Sequence, residues 1–88
     1  MLEKVKLALR IKNNSLDDDI QDYIDAAKQS LNIAGVTLID ESDPLIIQAV
    51  KVYCKANMSN DNIAAERYNK SFEMLKQSLS LCSEYRGG

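Results

Sequence analysis

The chain has 88 residues, 11 of them basic and 13 acidic, for a formal net charge of −2. That length allows one domain, which buries only roughly 60–65% of the surface its unfolded chain exposes. There is no histidine, so the commonest general base and the commonest zinc ligand are both missing. The only glycines are Gly35, Gly87 and Gly88, which excludes a Gly-rich phosphate loop.

The two cysteines, Cys54 and Cys82, fall on the apolar sides of helical patterns and read as small buried hydrophobes, without a disulfide or metal role. The N-terminus is charged from Glu3 and lacks an apolar signal block. No apolar run is long enough to span a bilayer. The Asn-x-Ser triplets at Asn13, Asn57 and Asn69 carry no weight without an export signal. No cofactor is called for.

The periodicity predicts an all-α domain of four helices over residues 1–82, followed by a short flexible tail, 83–88. The first helix covers about residues 2–10, with Leu2, Val5 and Leu9 on one face. It is short and must dock to persist. The second covers about 16–34. Ser15 is its expected N-cap, with Asp18 three residues on as a capping-box partner. Asp17, Asp18 and Asp19 suit the positive end of the helix dipole. Leu16, Ile20, Ile24, Ala27 and Leu31 form its apolar stripe, and Gly35 is the expected stop. The acidic cluster lacks the ligand spacing of a calcium loop.

Residues 36–43 connect the second and third helices, and Leu38 and Ile39 are their apolar candidates for burial, an extended piece or a neighbour's contact. Asp43 followed by Pro44 marks the clearest helix start. The third helix runs to about Asn57 and is apolar except for the narrow line Gln48, Lys51, Lys55. A helix apolar on most of its circumference is central, and three other short helices leave part of it for another subunit. After the turn 58–62, the fourth helix runs over about 63–81. Ala65, Tyr68, Phe72, Leu75, Leu79 and Cys82 form its inward line. Glu66 and Lys70 are spaced for an ion pair, and Ile63, Met74 and Leu81 lie off the stripe as candidates for contacts outside the monomer. The expected core is Leu9, Ile20, Ile24, Leu31, Ile47, Val50, Cys54, Tyr68, Phe72, Leu75 and Leu79.

Charge is uneven. Residues 1–12 carry Lys4, Lys6, Arg10 and Lys12 against Glu3, whereas 17–25 carry five aspartates and no base. Opposite ends of opposite sign suit head-to-tail packing of like subunits. The candidate interface is therefore Lys4, Lys6 and Arg10 of one copy against Asp17, Asp18 and Asp22 of the next, with Leu38 and Ile39 at the seam. Leu81, Tyr85 and Arg86 are candidates for partner contact through the tail, because Tyr and Arg are enriched at binding hot spots.

Three stretches in this order, Met1–Ile11 with Asp17–Ile20 and Tyr23–Lys28, then Asp43–Val50 with Tyr53–Asn57, then Ala65–Tyr68 with Lys70–Phe72, Leu75, Leu79 and Tyr85, resemble the small head–tail connector (adaptor, or DNA-packaging) proteins of long-tailed phages and prophages. The resemblance implies a non-enzymatic helical subunit of a dodecameric ring. The ring would sit between the portal protein and a neck or tail-completion protein, and the genome would pass through it without specific binding. It also implies assembly in the bacterial cytoplasm, residence in the virion neck and no membrane partner. Two other readings fit the residues: a small helical DNA-binding regulator, disfavoured by the acidic balance and the lack of a basic cluster, and a non-phage interaction adaptor. An enzyme would lack every common catalytic constellation.

Overall fold

The computed structural model describes residues 1–86. Four α-helices follow one another: α1 (Leu2–Leu9), α2 (Asp17–Ile33), α3 (Pro44–Met58) and α4 (Asn62–Leu81), closed by a 3-10 turn, η1 (Ser83–Tyr85). The described residues contain no strand. The domain is an all-α bundle with extents of 39 × 26 × 18 Å.

Helix α3 is the hub. It packs against α1, α2 and α4, while α4 meets α3 along its length and η1 at its end. The reason is in its composition: Ile46, Ile47, Ala49, Val50, Val52, Cys54 and Ala56 are all buried, so α3 must be covered from several sides. Val5 of α1, Ile20, Ile24, Ala27 and Leu31 of α2, and Phe72 and Leu79 of α4 complete the core. Tyr53 and Phe72 meet edge to face at 5.0 Å across the α3–α4 seam. Of the expected core, Leu9, Tyr68 and Leu75 are half-buried and pack on its margin. Val36, Ile46, Ala49 and Val52 join it as well.

The helix ends follow local chemistry. Asp43 caps α3 by accepting from Leu45 N–H at 2.8 Å, with Pro44 in the first turn. Asp61 caps α4 by accepting from Ile63 N–H at 2.9 Å. Helix α2 ends in a Schellman motif: Val36 N–H donates to Leu31 O at 2.9 Å and Gly35 N–H to Asn32 O at 3.0 Å. Gly35 supplies the positive φ of 106°, and Val36 and Leu31 bury their side chains together. Helix α1 ends in the same pattern, Ile11 N–H to Lys6 O and Arg10 N–H to Leu7 O, but Arg10 is the residue in the left-handed region, at φ 58° and ψ 37°.

Several expectations are corrected. Ser15 does not cap α2. Its N–H and hydroxyl both donate to Asn13 Oδ1, and the N-cap position falls to Leu16 with no side-chain cap. Leu16 consequently sits at the helix margin, exposed and outside the stripe. Glu66 and Lys70 form no ion pair; Lys76 pairs with Glu73 instead, at 2.9 Å. An exposed pair one turn apart gains little and is easily exchanged. In the segment 83–88, expected as a short flexible tail, Tyr85 bonds back to Thr37, Leu38 and Asp43, Arg86 is exposed, and Gly87 and Gly88 lie outside the described residues.

Candidate functional site

The residues proposed for contacts fall into three regions. The first is the α1–α2 corner. Lys6 is 5% exposed, and its ammonium lies 2.8 Å from Asp17 Oδ1 and donates to Asn14 Oδ1 at 2.8 Å. The Lys6–Asp17 approach is an ion pair without hydrogen-bond alignment, so Asp17 Oδ1 has a charge partner but no aligned donor. These two residues therefore spend their charges on each other within one chain. Of the expected basic-to-acidic seam, Lys4, Arg10, Asp18 and Asp22 remain exposed. Sequence spacing hides this because Lys6 and Asp17 are brought together only by the α1–α2 turn.

The second region is the connection 36–43 with the C-terminal turn. Tyr85 O accepts from Thr37 N–H at 2.8 Å and Leu38 N–H at 3.1 Å. The Tyr85 hydroxyl donates to Asp43 Oδ2 at 2.8 Å. Donation to a carboxylate, with some burial, pushes the phenol up to about 12. Asp43 thus serves both as helix cap and as anchor for the last turn. Tyr85 is half-buried in this arrangement, while Leu81 and Arg86 are exposed. Leu38 is 53% exposed, and Ile39 packs on the core. Glu41 meets Lys28 Nζ at 3.0 Å and the N-terminal ammonium at 3.6 Å. The Lys28 bond chiefly holds its carboxyl below the usual range.

The third region contains Ile63, Met74 and Leu81, the off-stripe residues of α4, together with a groove that the sequence pattern does not show. An open groove of about 500 Å³ runs between α3 and α4, lined by Gln48, Val52, Lys55, Tyr68, Ser71, Met74, Leu75 and Ser78. A shallower hollow of about 370 Å³ continues it toward the end of α1, sharing Lys55 and Tyr68. The Lys55 ammonium stands 5.8 Å from the Tyr68 ring centroid at the junction. Beside the groove, Ile63, Met74 and Leu81 are 67%, 69% and 74% exposed. Helical spacing puts them on one stripe of α4 with Arg67 and Lys70. The signal was present in the off-stripe apolar residues. What was missing was the knowledge that α4 packs on α3 alone for most of its length.

The Cys54 thiol is buried and desolvation pushes it up to about 12, where it is a poor nucleophile. Cys82 is half-buried and free. Among the described residues no three His, Cys, Asp or Glu side chains gather to hold a metal ion, and no helix is long and apolar enough to cross a membrane.

The described residues thus form an all-α bundle with exposed apolar and charged stripes on α2 and α4. The family described as "Phage connector protein" matches residues 1–86, and the chain belongs to that family. Membership places it among structural proteins of the virion neck. A comparison with the curated proteins returns no match, and neither does one with the solved structures.

Proposed function

We propose that this chain is a structural, non-catalytic subunit of the phage head–tail connector. Copies of it assemble into a ring between the portal protein and a neck or tail-completion protein, extending the channel through which DNA passes. The observation that carries this reading is the family match over residues 1–86. The surface supports it: a domain this small leaves Ile33, Ile63, Met74 and Leu81 in water, and ring assembly gives such side chains neighbours. Assembly would take place in the cytoplasm of the bacterial host, before the neck is sealed.

DNA passes through such a ring without specific binding. The chain is slightly acidic, and among the described residues no helix gathers Arg, Lys, Asn and Gln on one face in the arrangement that reads base edges. The test is recovery of a tagged copy from cells producing the phage that encodes it, with the co-purifying proteins identified by mass spectrometry. Portal and neck or tail-completion proteins are the expected partners. Recovery of a promoter fragment or host regulators without any virion protein would overturn the reading.

A further inference from the structure

Two exposed faces of the chain, one on α2 and one on α4, carry charge of opposite sign. On α2, Asp18, Asp22 and Asp25 succeed one another four and three residues apart, which places them on one stripe. That stripe is opposite the buried line Ile20, Ile24, Ala27 and Leu31. All three are exposed, and no ion pair reaches them within the chain, where the pairs of the described residues use Asp17, Glu41 and Glu73. Ile33, 78% exposed, ends the same side of the helix.

On α4, Arg67 and Lys70 are exposed cations, also outside those ion pairs, and they sit between the exposed Ile63 and Met74. Glu66 and Glu73 occupy the flank turned from the groove, where Glu73 holds Lys76. Lys76 in turn reaches Ser30 of α2 at 3.5 Å, so that flank is already turned toward α2 of the same chain. The free face of α4 is thus apolar and cationic, and the free face of α2 is anionic with an apolar end. At 1.5 Å per residue the two helices are about 25 and 30 Å long, so one can lie along the other.

We infer that the α4 face bordering the α3 groove receives the α2 face of a second copy of this chain, with Arg67 and Lys70 against Asp22 and Asp25. This rests on the ring reading above and names the surfaces that make the ring. The contact is heterologous: each copy offers α2 to one neighbour and α4 to the other, the arrangement that closes cyclic assemblies. Sequence charge suggests α1 against α2. With Lys6 paired to Asp17, the exposed cations left on α1, Lys4 and Arg10, do not share a stripe, whereas Arg67 and Lys70 of α4 do.

The test is charge exchange in the full chain. Asp22→Lys with Asp25→Lys makes one variant, Arg67→Glu with Lys70→Glu a second, and all four substitutions a third. All four positions are exposed, so circular dichroism should show unchanged helix content. Assembly is measured by sedimentation velocity over a range of concentrations, and by incorporation into portal-bearing capsids. The inference predicts that each two-residue variant needs at least about tenfold more protein to assemble, because like charges then face each other, and that the four-residue variant regains wild-type assembly. Wild-type assembly by all three variants overturns it and leaves the connector reading intact, as does failure of all three. A second variant that assembles normally but loses salt-sensitive retention of duplex DNA overturns it in favour of a nucleic-acid contact at α4. A wild-type chain that sediments as a monomer and is absent from capsids removes the ring reading and the inference together.

Discussion

Lys6 Nζ lies 2.8 Å from Asp17 Oδ1, which ties α1 to the start of α2 through a nearly buried ammonium. Truncating Lys6 to Met leaves Asp17 beside the core without its countercharge. The expected cost is about 1–3 kcal/mol, below the range for a fully buried pair because the Asp17 side chain is 29% exposed. The Lys6→Met, Asp17→Leu double variant should recover most of that loss, since both desolvation penalties then disappear. Urea denaturation of the four members of the cycle measures this. Additive losses would show that the two residues do not interact.

The Tyr85–Asp43 bond makes the last turn pH-sensitive. The folded phenol titrates near 12 and the unfolded one near its ordinary 10. A raised folded pKa means the stabilisation is complete below pH 10 and disappears as pH rises toward 12. Tyr85→Phe should remove that alkaline dependence and lower the protection of the Thr37 and Leu38 amides, which donate to Tyr85 O. Hydrogen exchange followed by NMR at neutral pH, with phenolate absorbance at alkaline pH, checks both parts. Equal protection in wild type and variant would mean that the hydroxyl does not hold the turn.

Left-handed backbone occurs at Gly35 and Arg10, and the two should respond oppositely to substitution. Gly35→Ala places a Cβ at a φ of 106° and should destabilise by at least about 1 kcal/mol, although the space around it is open. Arg10→Gly relieves a strained position and should stabilise by about 0.5–1 kcal/mol. Thermal denaturation distinguishes the signs. If Arg10→Gly destabilises, the side chain holds contacts that outweigh its backbone strain.

The two thiols should differ in reactivity. Cys54 is buried, with its thiol pushed up to about 12, and should resist alkylation at neutral pH until the chain unfolds. Cys82, half-buried at the end of α4, should react first. Mass spectrometry of timed iodoacetamide labelling would give the order, and equal rates would mean that the α3 core opens readily. Phe72→Ala, which empties the aromatic contact at the α3–α4 seam, should cost about 3–5 kcal/mol and bring the two rates together.

The helical pattern was legible wherever its cause is local. Asp43 with Pro44 and the Gly35 stop place their helix ends within a residue or so, because each acts on its own backbone neighbours. The apolar periodicity of Ile20, Ile24 and Leu31 gives the buried face of α2 directly. Ser15 misled because Asn13 competes successfully for its hydroxyl. The pairing of Lys6 with Asp17, and of Tyr85 with Asp43, depends on how the helices are brought together, which no local spacing encodes. The same limit applies to the groove. Ile63 and Met74 stand out in the sequence as off-stripe residues, but their kinship with Arg67 and Lys70 as one face emerges only once α4 is seen to lean on α3.

The most direct test of the connector reading is cryo-electron microscopy of the neck of intact particles, with the chain's presence verified by mass spectrometry. The account predicts a ring of four-helix subunits between portal and tail, with the α2 face of each subunit against the α4 face of its neighbour. Particles whose necks lack this chain, or in which it is found outside the neck, would contradict it.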